Sequence, residues 1–376
     1  MKIFVVNTGS SSIKCSLYLF GNQLPVESVP PIWESHLEWK EDSKKALLKV
    51  KNDTGITYSE EIGLVSTKEN LTHIIQTLCN GKTAVLNNLN EIDAVGHRIV
   101  HGGSEFTKSV LITSKIKEKI RTLADIATIH NLANLDGIEA AESLFKDKPQ
   151  FAVFDTGFHQ TLPLAHALYP GPYAWREEGI RRYGFHGISH QYCSHRAAEF
   201  LQCNLQMQRI VVCHLGSGSS LCAIKNGKSI DTTMGFTPLE GLMMDTRSGT
   251  IDPGIILYLL RKEGITIDGL NKVLNHQSGL LGISGISSDM RDIITAASKG
   301  VERAQLAIDM YVHRLNSFIG SMIASLGGID ILVFTGGIGE NTPLIRKKVS
   351  EAFSFLPLKL DLQKNAYSHE EDAVIS

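Results

Sequence analysis

None of the six cysteines (Cys15, Cys79, Cys193, Cys203, Cys213 and Cys222) stands in a CxxC pair. That spacing argues against a zinc ribbon or a disulfide framework and reads them as reduced packing residues of a cytosolic protein. Long hydrophobic runs are also missing, since nothing approaches the roughly 18 apolar residues of a membrane span. Lys2 precedes only the short run Ile3-Phe4-Val5-Val6 before polar Asn7, too little for a signal-peptide core. The expected compartment is therefore the cytoplasm. Charge of one sign is scarce too: a net charge of -2 creates no general field that would draw in nucleic acid or a membrane surface. What the chain does have is length. With 376 residues and 43% hydrophobic content it can build more than one core. Two domains are expected, 1–150 and 151–376, parting at the polar stretch "KDKPQ" before the strand-like "FAVFD".

The loop "NTGSSSIK" (7–14) follows the apolar run and leads into "IKCSLYLF", whose β-branched and aromatic content is that of a returning strand. Glycine, serines and a lysine suggest a phosphate cradle. A Walker loop, however, reads GxxxxGK[ST] and opens a helix, whereas this lysine falls in a strand, which excludes a P-loop. The pattern recurs: "VVCHLGSGSS" precedes "LCAIKNGKSID", which turns at Asn226-Gly227. Setting Gly9 on Gly216 also sets Ser10 on Ser217 and Ser12 on Ser219. A third loop, "TGGIGEN" (335–341), follows the strand "DILVF" and precedes "TPLIRKKVSEAF", a helical segment with Pro343 in its first turn. Helical periodicity also marks "SKIKEKIRTLADIATIHN", "DGIEAAESLF", "ISHQYCSHRAAEFL" and the long run from Gly300 to Gly328. Strands alternating with helices make the class α/β.

Polar residues at strand ends are where an open α/β sheet binds its ligands. Four stretches qualify: "GHRIVHGG", "FDTGFHQTLP", "RRYGFHGISH" and "MMDTRSGTIDPG". Arginines there suit bidentate binding of carboxylate or phosphate. Taken singly, Arg98 and Arg247 are better explained as structural ion-pair partners, and Asp155 is equally well explained as a turn or capping residue. His97, His101 and His130 read as satisfied loop or core histidines. His186 and His190 are four apart, but without an intervening glutamate in the HExxH pattern zinc is not indicated. Their co-occurrence with three glycine-rich loops points to an ATP-dependent phosphotransferase.

These motifs, with "TPLEGL", "TRSG", "SGLLGISG", "SSDMRDI" and "FTGGIGEN", make the chain resemble the acetate and propionate kinase family from Lys2 onward. The resemblance implies two RNase H-like domains of the actin-like ATPase fold, with mixed sheets flanked by helices and an active-site cleft between them. It implies a homodimer, Mg2+ (or Mn2+), and reversible transfer of the ATP γ-phosphoryl group to acetate, giving acetyl phosphate and ADP. Carried onto this sequence, it makes Arg98, Asp155, His186 and Arg247 catalytic, with Asn7 near the metal and Asp155 beside it. Val100, Ile129, Phe185 and Pro238 would form the slot for the acyl methyl, and His130 and His214 would line the cleft. Ser10, Ser12 and Lys14 would belong to the first phosphate hairpin, and Gly216, Ser217, Gly218 and Ser219 to the second. Asp289, Arg291 and the turn containing Gly337, Gly339, Glu340 and Asn341 would serve the nucleotide.

Four positions depart from the family pattern. Ser217 stands in place of an asparagine, Asp245 of a glycine, Thr250 of an aspartate and Leu132 of a proline. The end "EEDAVIS" resembles the stretch that in the family leads into a closing strand and helix with a glutamate associated with magnesium; these are absent from this sequence, and truncation is the expected reason rather than an early natural end. Rival readings are a propionate or butyrate kinase and a catalytically weak nucleotide-binding protein on the same fold.

Overall fold

The computed structural model describes residues 1–9, 12–21, 29–39, 45–63, 65–123, 128–262, 264–366 and 372–376, with the backbone alone for 128–130. The chain divides into two compact units, Met1–Gly157 and Phe158–Ser376.

The first unit is built on a mixed sheet of strands β1 (Lys2–Thr8), β2 (Ser12–Leu19), β3 (Trp33–Trp39), β4 (Lys45–Asn52), β5 (Thr57–Gly63), β6 (Ala94–Ile99), β7 (Val110–Leu111) and β8 (Gln150–Phe154). Their order across the sheet is β5-β4-β3-β2-β1-β6-β8-β7. Strict alternation in β1 and β2 buries Phe4, Val6, Ile13, Cys15 and Leu17 on one face, as a period of two requires. Helices α1 (Thr67–Gln76) and α3 (Thr128–Leu144) supply Leu71, Ile74, Ala140 and Ala141 to that core. A second cluster joins Ile99, Ala152 and Phe154 to Ile120 of α2 (Ser114–Thr122) and to Ile138. The segment expected as one helix over 114–131 instead contains the end of α2 at Thr122 and the start of α3 at Thr128.

β8 pairs in parallel with β6, Arg98 opposite Val153, so the strand expected to open the second domain completes the first sheet. That pairing carries the division from near residue 150 to Gly157.

The second unit has β9 (Arg209–Leu215), β10 (Ser219–Lys225), β11 (Lys228–Thr232) and β12 (Ile331–Thr335), in the order β11-β10-β9-β12. Its helices are α4 (Leu164–Ala167), α5 (Ala174–Glu177), α6 (Gly187–Phe200), α7 (Pro253–Arg261), α8 (Ile267–His276), α9 (Gly279–Ser284), α10 (Met290–Ser298), α11 (Glu302–Leu326), α12 (Gly336–Asn341), α13 (Pro343–Ala352) and α14 (Leu362–Ala366). β9 is apolar on both faces because both are covered. Val211, Cys213 and Leu215 pack with Ile308, Leu315 and Ile319 of α11, whereas Ile210 and Val212 meet Cys193 of α6. Among the described residues the cysteines are unbridged, and burial raises the thiol pKa of Cys15, Cys213 and Cys222. No helix of the described residues is long and apolar enough to cross a membrane.

The two hairpins have the same surroundings. β1 is antiparallel to β2 and parallel to β6, and β9 is antiparallel to β10 and parallel to β12. The residue-by-residue match slips inside the loop, however. Gly9 N donates to Ser12 O at 2.8 Å, but Gly216 N donates to Gly218 O at 3.2 Å. The second hairpin is thus one residue tighter, and Gly218, not Ser219, takes the place of Ser12.

Candidate active site

In the first unit, three polar side chains gather at the carboxyl ends of adjacent strands, the position where open α/β sheets bind ligands. Asn7 is the penultimate residue of β1, Arg98 is near the end of β6, and Asp155 directly follows β8. Alternation along β6 buries Val95, His97 and Ile99, which turns Arg98 to the other face. Its Nε lies 3.1 Å from both Asp155 oxygens, its Nη2 2.5 Å from Asp155 Oδ2, and its Nη1 3.1 Å from Asn7 Oδ1. The Asp155 side chain is 2% exposed and that of Arg98 32%. Burial opposes the guanidinium charge, but Asp155 more than offsets it and holds the Arg98 pKa above its ordinary value. The plain structural reading of Arg98 as an ion-pair partner is therefore realised, and it leaves part of a fork of five donors for a ligand.

Lys14 stands opposite Asn7 across the β1–β2 ladder and is exposed. Ser12 closes the hairpin through its carbonyl. Ser10 lies outside the described residues, as do the side chains of Ile129 and His130. Val100 is 8% exposed. Its N–H donates to Asn134 Oδ1 at 3.0 Å, and Asn134 Nδ2 donates to Thr8 O at 2.6 Å. Asn134 ties α3 to the ends of β1 and β6. Sequence reasoning passed over it because an amide inside a helical pattern gives no local signal.

The second unit gathers His186, His214, Arg247 and the hairpin Gly216–Ser219. His186 precedes α6 in the left-handed region, with φ of 57°, a conformation that costs a non-glycine residue of order 1–3 kcal/mol and clusters at functional sites. Its ring centroid lies 4.3 Å from that of His214. His214 Nδ1 is 2.8 Å from Ser189 Oγ, and Ser220 Oγ is 2.8 Å from both His186 Nδ1 and His190 Nε2. Arg247 Nη1 donates to Pro238 O at 3.3 Å, and burial pulls this guanidinium below its ordinary pKa while Asp245 acts in the other direction. A Cβ on Gly218 would stand 3.3 Å from His186 Nε2 and 3.5 Å from Arg247 Nη1. Imidazole, guanidinium and hairpin backbone thus face one small space that a side chain at 218 would fill. Phe185, assigned to the acyl slot, is 1% exposed, and its carbonyl accepts from His159 Nε2 at 3.0 Å.

Two of the unusual positions turn out to be partners. Ser217 Oγ donates to Asp245 Oδ2, and the other carboxylate oxygen accepts from Thr246 N at 2.6 Å. Thr250 is also engaged: its Oγ1 accepts from Gly241 N at 3.0 Å and its carbonyl accepts from Arg314. Leu132 is an exposed residue of α3.

The third loop is a short helix, not a turn. Gly336–Asn341 forms α12, held at its start by Glu340 Oε1, which accepts from Thr335 Oγ1 and Gly336 N at 2.9 Å each. Gly336 has φ of 80°, and a Cβ there would come within 2.7 Å of Leu215 O, so only glycine lets α12 start against the end of β9. Gly339 is likewise near Leu215, Gly337 O accepts from Asn341 Nδ2 at 3.0 Å, and the loop thereby adjoins the second hairpin. Asp289 caps α10 and pairs with exposed Arg291 at 2.5 Å, which lowers the Asp289 pKa.

No cluster of three or more His, Cys, Asp or Glu side chains suited to a metal occurs among the described residues. The oxygen donors that do converge are the Asp155 carboxylate and the Asn7 amide oxygen, both on Arg98. One carboxylate and one amide oxygen fit Mg2+, which keeps several waters and takes substrate phosphates as further ligands.

The Acetokinase family model matches residues 2–376. The chain belongs to the acetokinase family. It is 55% identical over 366 residues to the acetate kinase of Nostoc punctiforme, covering 97% of this chain and 90% of that protein. It is 54% identical to the acetate kinase of Microcystis aeruginosa, over all of this chain and 93% of the relative. Among solved structures, Porphyromonas gingivalis acetate kinase aligns with a TM-score of 0.88 at 40% identity, covering 100% of this chain and 92% of that one. A propionate kinase from Francisella tularensis aligns with a TM-score of 0.87, also at 40%, covering 97% and 91%. Membership makes the protein a kinase whose acceptor is a carboxyl group and gives it the actin-like ATPase fold.

Proposed function

We propose that the protein transfers the γ-phosphoryl group of ATP reversibly to acetate, forming acetyl phosphate and ADP by direct in-line transfer. The observation that carries the mechanism is the shared space between Gly218, His186 and Arg247. A carboxylic acid with an ordinary pKa near 4 to 5 is already ionised at neutral pH, so its attack on phosphorus needs no general base. What limits the reaction is the approach of anions. Cationic and N–H donors placed around the equatorial oxygens meet that need. In this reading Arg98 grips the acyl carboxylate, while Arg247 and His186 hold the transferring group. The two hairpins and Lys14 bind phosphates, and Asp289, Arg291 and α12 serve the rest of the nucleotide.

Asp155 and Asn7 would hold Mg2+, whose charge, when it is bound, neutralises phosphate oxygens. Asp155 also orients Arg98. Val100, Ile129, Phe185 and Pro238 are proposed to shape the acyl site. One extra methylene is worth only about 1–3 kcal/mol in an apolar pocket, so propionate is accepted less well than acetate.

A homodimer is the proposed state. α7 displays Ile255, Leu257, Tyr258 and Leu260 to solvent and has no buried residue, and so much apolar surface on one exposed helix supports an association surface there. The cytoplasm is the proposed compartment, in keeping with the unbridged cysteines.

The deciding experiment measures acyl phosphate as hydroxamate with acetate, propionate and butyrate in the presence of ATP and Mg2+. Acetate is expected to give the highest kcat/KM, and Arg247→Ala is expected to lose at least about 100-fold in kcat, the scale of a lost transition-state charge partner. A higher kcat/KM for propionate would reassign the substrate. ATP binding without product from any acid would reject the kinase mechanism.

A further inference from the structure

We propose that Ser220 and His190 are positioning residues that fix the tautomer of His186, so that His186 presents an Nε2–H to the phosphate hairpin. The proposal builds on the reading that His186 contacts the transferring phosphoryl group.

It starts from a hydroxyl with two imidazole neighbours. Ser220, the residue after the Gly216–Ser219 hairpin, has its Oγ 2.8 Å from His186 Nδ1 and 2.8 Å from His190 Nε2. A hydroxyl has one hydrogen and two lone pairs; accepting from both rings would leave the hydrogen of this fully buried residue without either ring as acceptor, so it donates to one ring and accepts from the other. His190 decides which. Its residue is 0% exposed, and its Nδ1 is buried without a hydrogen-bond partner. A proton on Nδ1 would bury an N–H that has no acceptor, the rarer and costlier arrangement, whereas a proton on Nε2 is used by Ser220. Burial, reinforced by the nearby rings of His159 and His214, keeps the His190 pKa well below its ordinary value, so the ring is neutral and carries a single proton. His190 Nε2 therefore donates to Ser220, and Ser220 donates to His186 Nδ1. With Nδ1 as acceptor, the proton of neutral His186 is on Nε2, the atom 3.3 Å from where a Gly218 Cβ would stand.

Phosphate oxygens are acceptors. An Nε2–H binds them, and a bare Nε2 lone pair opposes them. The second imidazole is what gives the relay its direction; the Ser189–His214 contact has one imidazole and one hydroxyl and is not oriented this way.

The test is 15N NMR of the imidazole nitrogens in the full chain at neutral pH, with His186→Gln and His190→Gln for assignment, beside steady-state kinetics. In the wild type His186 and His190 are both expected as Nε2–H. Ser220→Ala should move His186 toward Nδ1–H and lower kcat by about tenfold or more with a much smaller change in the acetate KM, in the manner of a mis-tautomerised catalytic histidine. Ser220→Thr, which keeps the hydroxyl, should restore both. Wild-type His186 as Nδ1–H, or an unchanged tautomer in Ser220→Ala, overturns the relay, and the wild-type spectrum decides even if a variant fails to fold. A shifted tautomer with unchanged kcat upholds the relay and rejects the role of His186 at the phosphoryl group.

Discussion

Replacing Arg98 by alanine should damage stability as well as turnover, and by more than the reciprocal change. The asymmetry comes from burial: Asp155 has a side chain 2% exposed, whereas about a third of the Arg98 side chain is in contact with solvent. Arg98→Ala leaves the buried carboxylate without its partner. Breaking a buried pair costs about 3–5 kcal/mol, and partial exposure of the arginine argues for the lower end, about 3. In a unit spanning Met1–Gly157, at about 2–4 °C per kcal/mol, that lowers Tm by about 6–12 °C. Asp155→Ala leaves a guanidinium that water can reach, so about 1–2 kcal/mol is expected. The double variant Arg98→Met/Asp155→Leu should regain most of the Tm, because no charge is left buried, but none of the activity. Differential scanning calorimetry and the hydroxamate assay on all four proteins read these quantities. Equal Tm values for wild type and Arg98→Ala, or activity in the double variant, would refute the reasoning.

Three further outcomes are expected. Burial lowers the His97 pKa to about 4 against the pull of its Gln150 hydrogen bond and of Glu142, so its contribution is complete above pH 6.5 and lost as pH falls toward 4, up to about 3 kcal/mol. Urea denaturation should show that loss, and a pH dependence no shallower in His97→Gln would contradict it. Asp245→Asn, which keeps a partner for Ser217 and removes a charge, should lower the KM for ATP by about fivefold, the scale of about 1 kcal/mol for a screened charge; an unchanged or higher KM would reject the electrostatic effect. Leu257→Glu with Tyr258→Glu should convert a dimer to a monomer in sedimentation velocity, and a monomeric wild type would remove α7 as an interface.

Local patterns made part of this structure readable. Alternation in β1 and β2 gave the first hairpin, and Asn226-Gly227, both with positive φ, gave the turn between β10 and β11. Helical periodicity located α6 and α11. Long-range pairing was what the sequence could not display. β8 reads as the start of something new until its register with β6 is known, and α12 reads as a glycine-rich turn until Glu340 is seen holding its start. The site followed the same division. Arg98, Asp155, His186 and Arg247 stood out because charged groups and histidines are conspicuous beside glycines. Ser220 and Asn134 did not, since a serine in a strand and an asparagine in a helix acquire their roles only from partners remote in sequence.

The unusual residues near the second hairpin illustrate the same point. Read singly, Asp245 threatens the phosphate site twice over, by repulsion and by capturing Arg247. The structure gives it other partners: one oxygen accepts from Ser217 and the other from Thr246 N. Two departures from the family pattern are therefore one interaction, in which the hydroxyl of the shortened hairpin is tied to the segment that carries Arg247. This removes the capture problem while leaving the charge in place. An ion pair would have satisfied Arg247 and withdrawn it from a ligand, whereas a carboxylate already accepting two hydrogen bonds acts on the nucleotide only through its field. Water and salt screen such a field at a partly exposed site. The Ser217–Asp245 pair is thus expected to tune phosphate affinity by a few-fold while leaving the donors that meet the transition state in place.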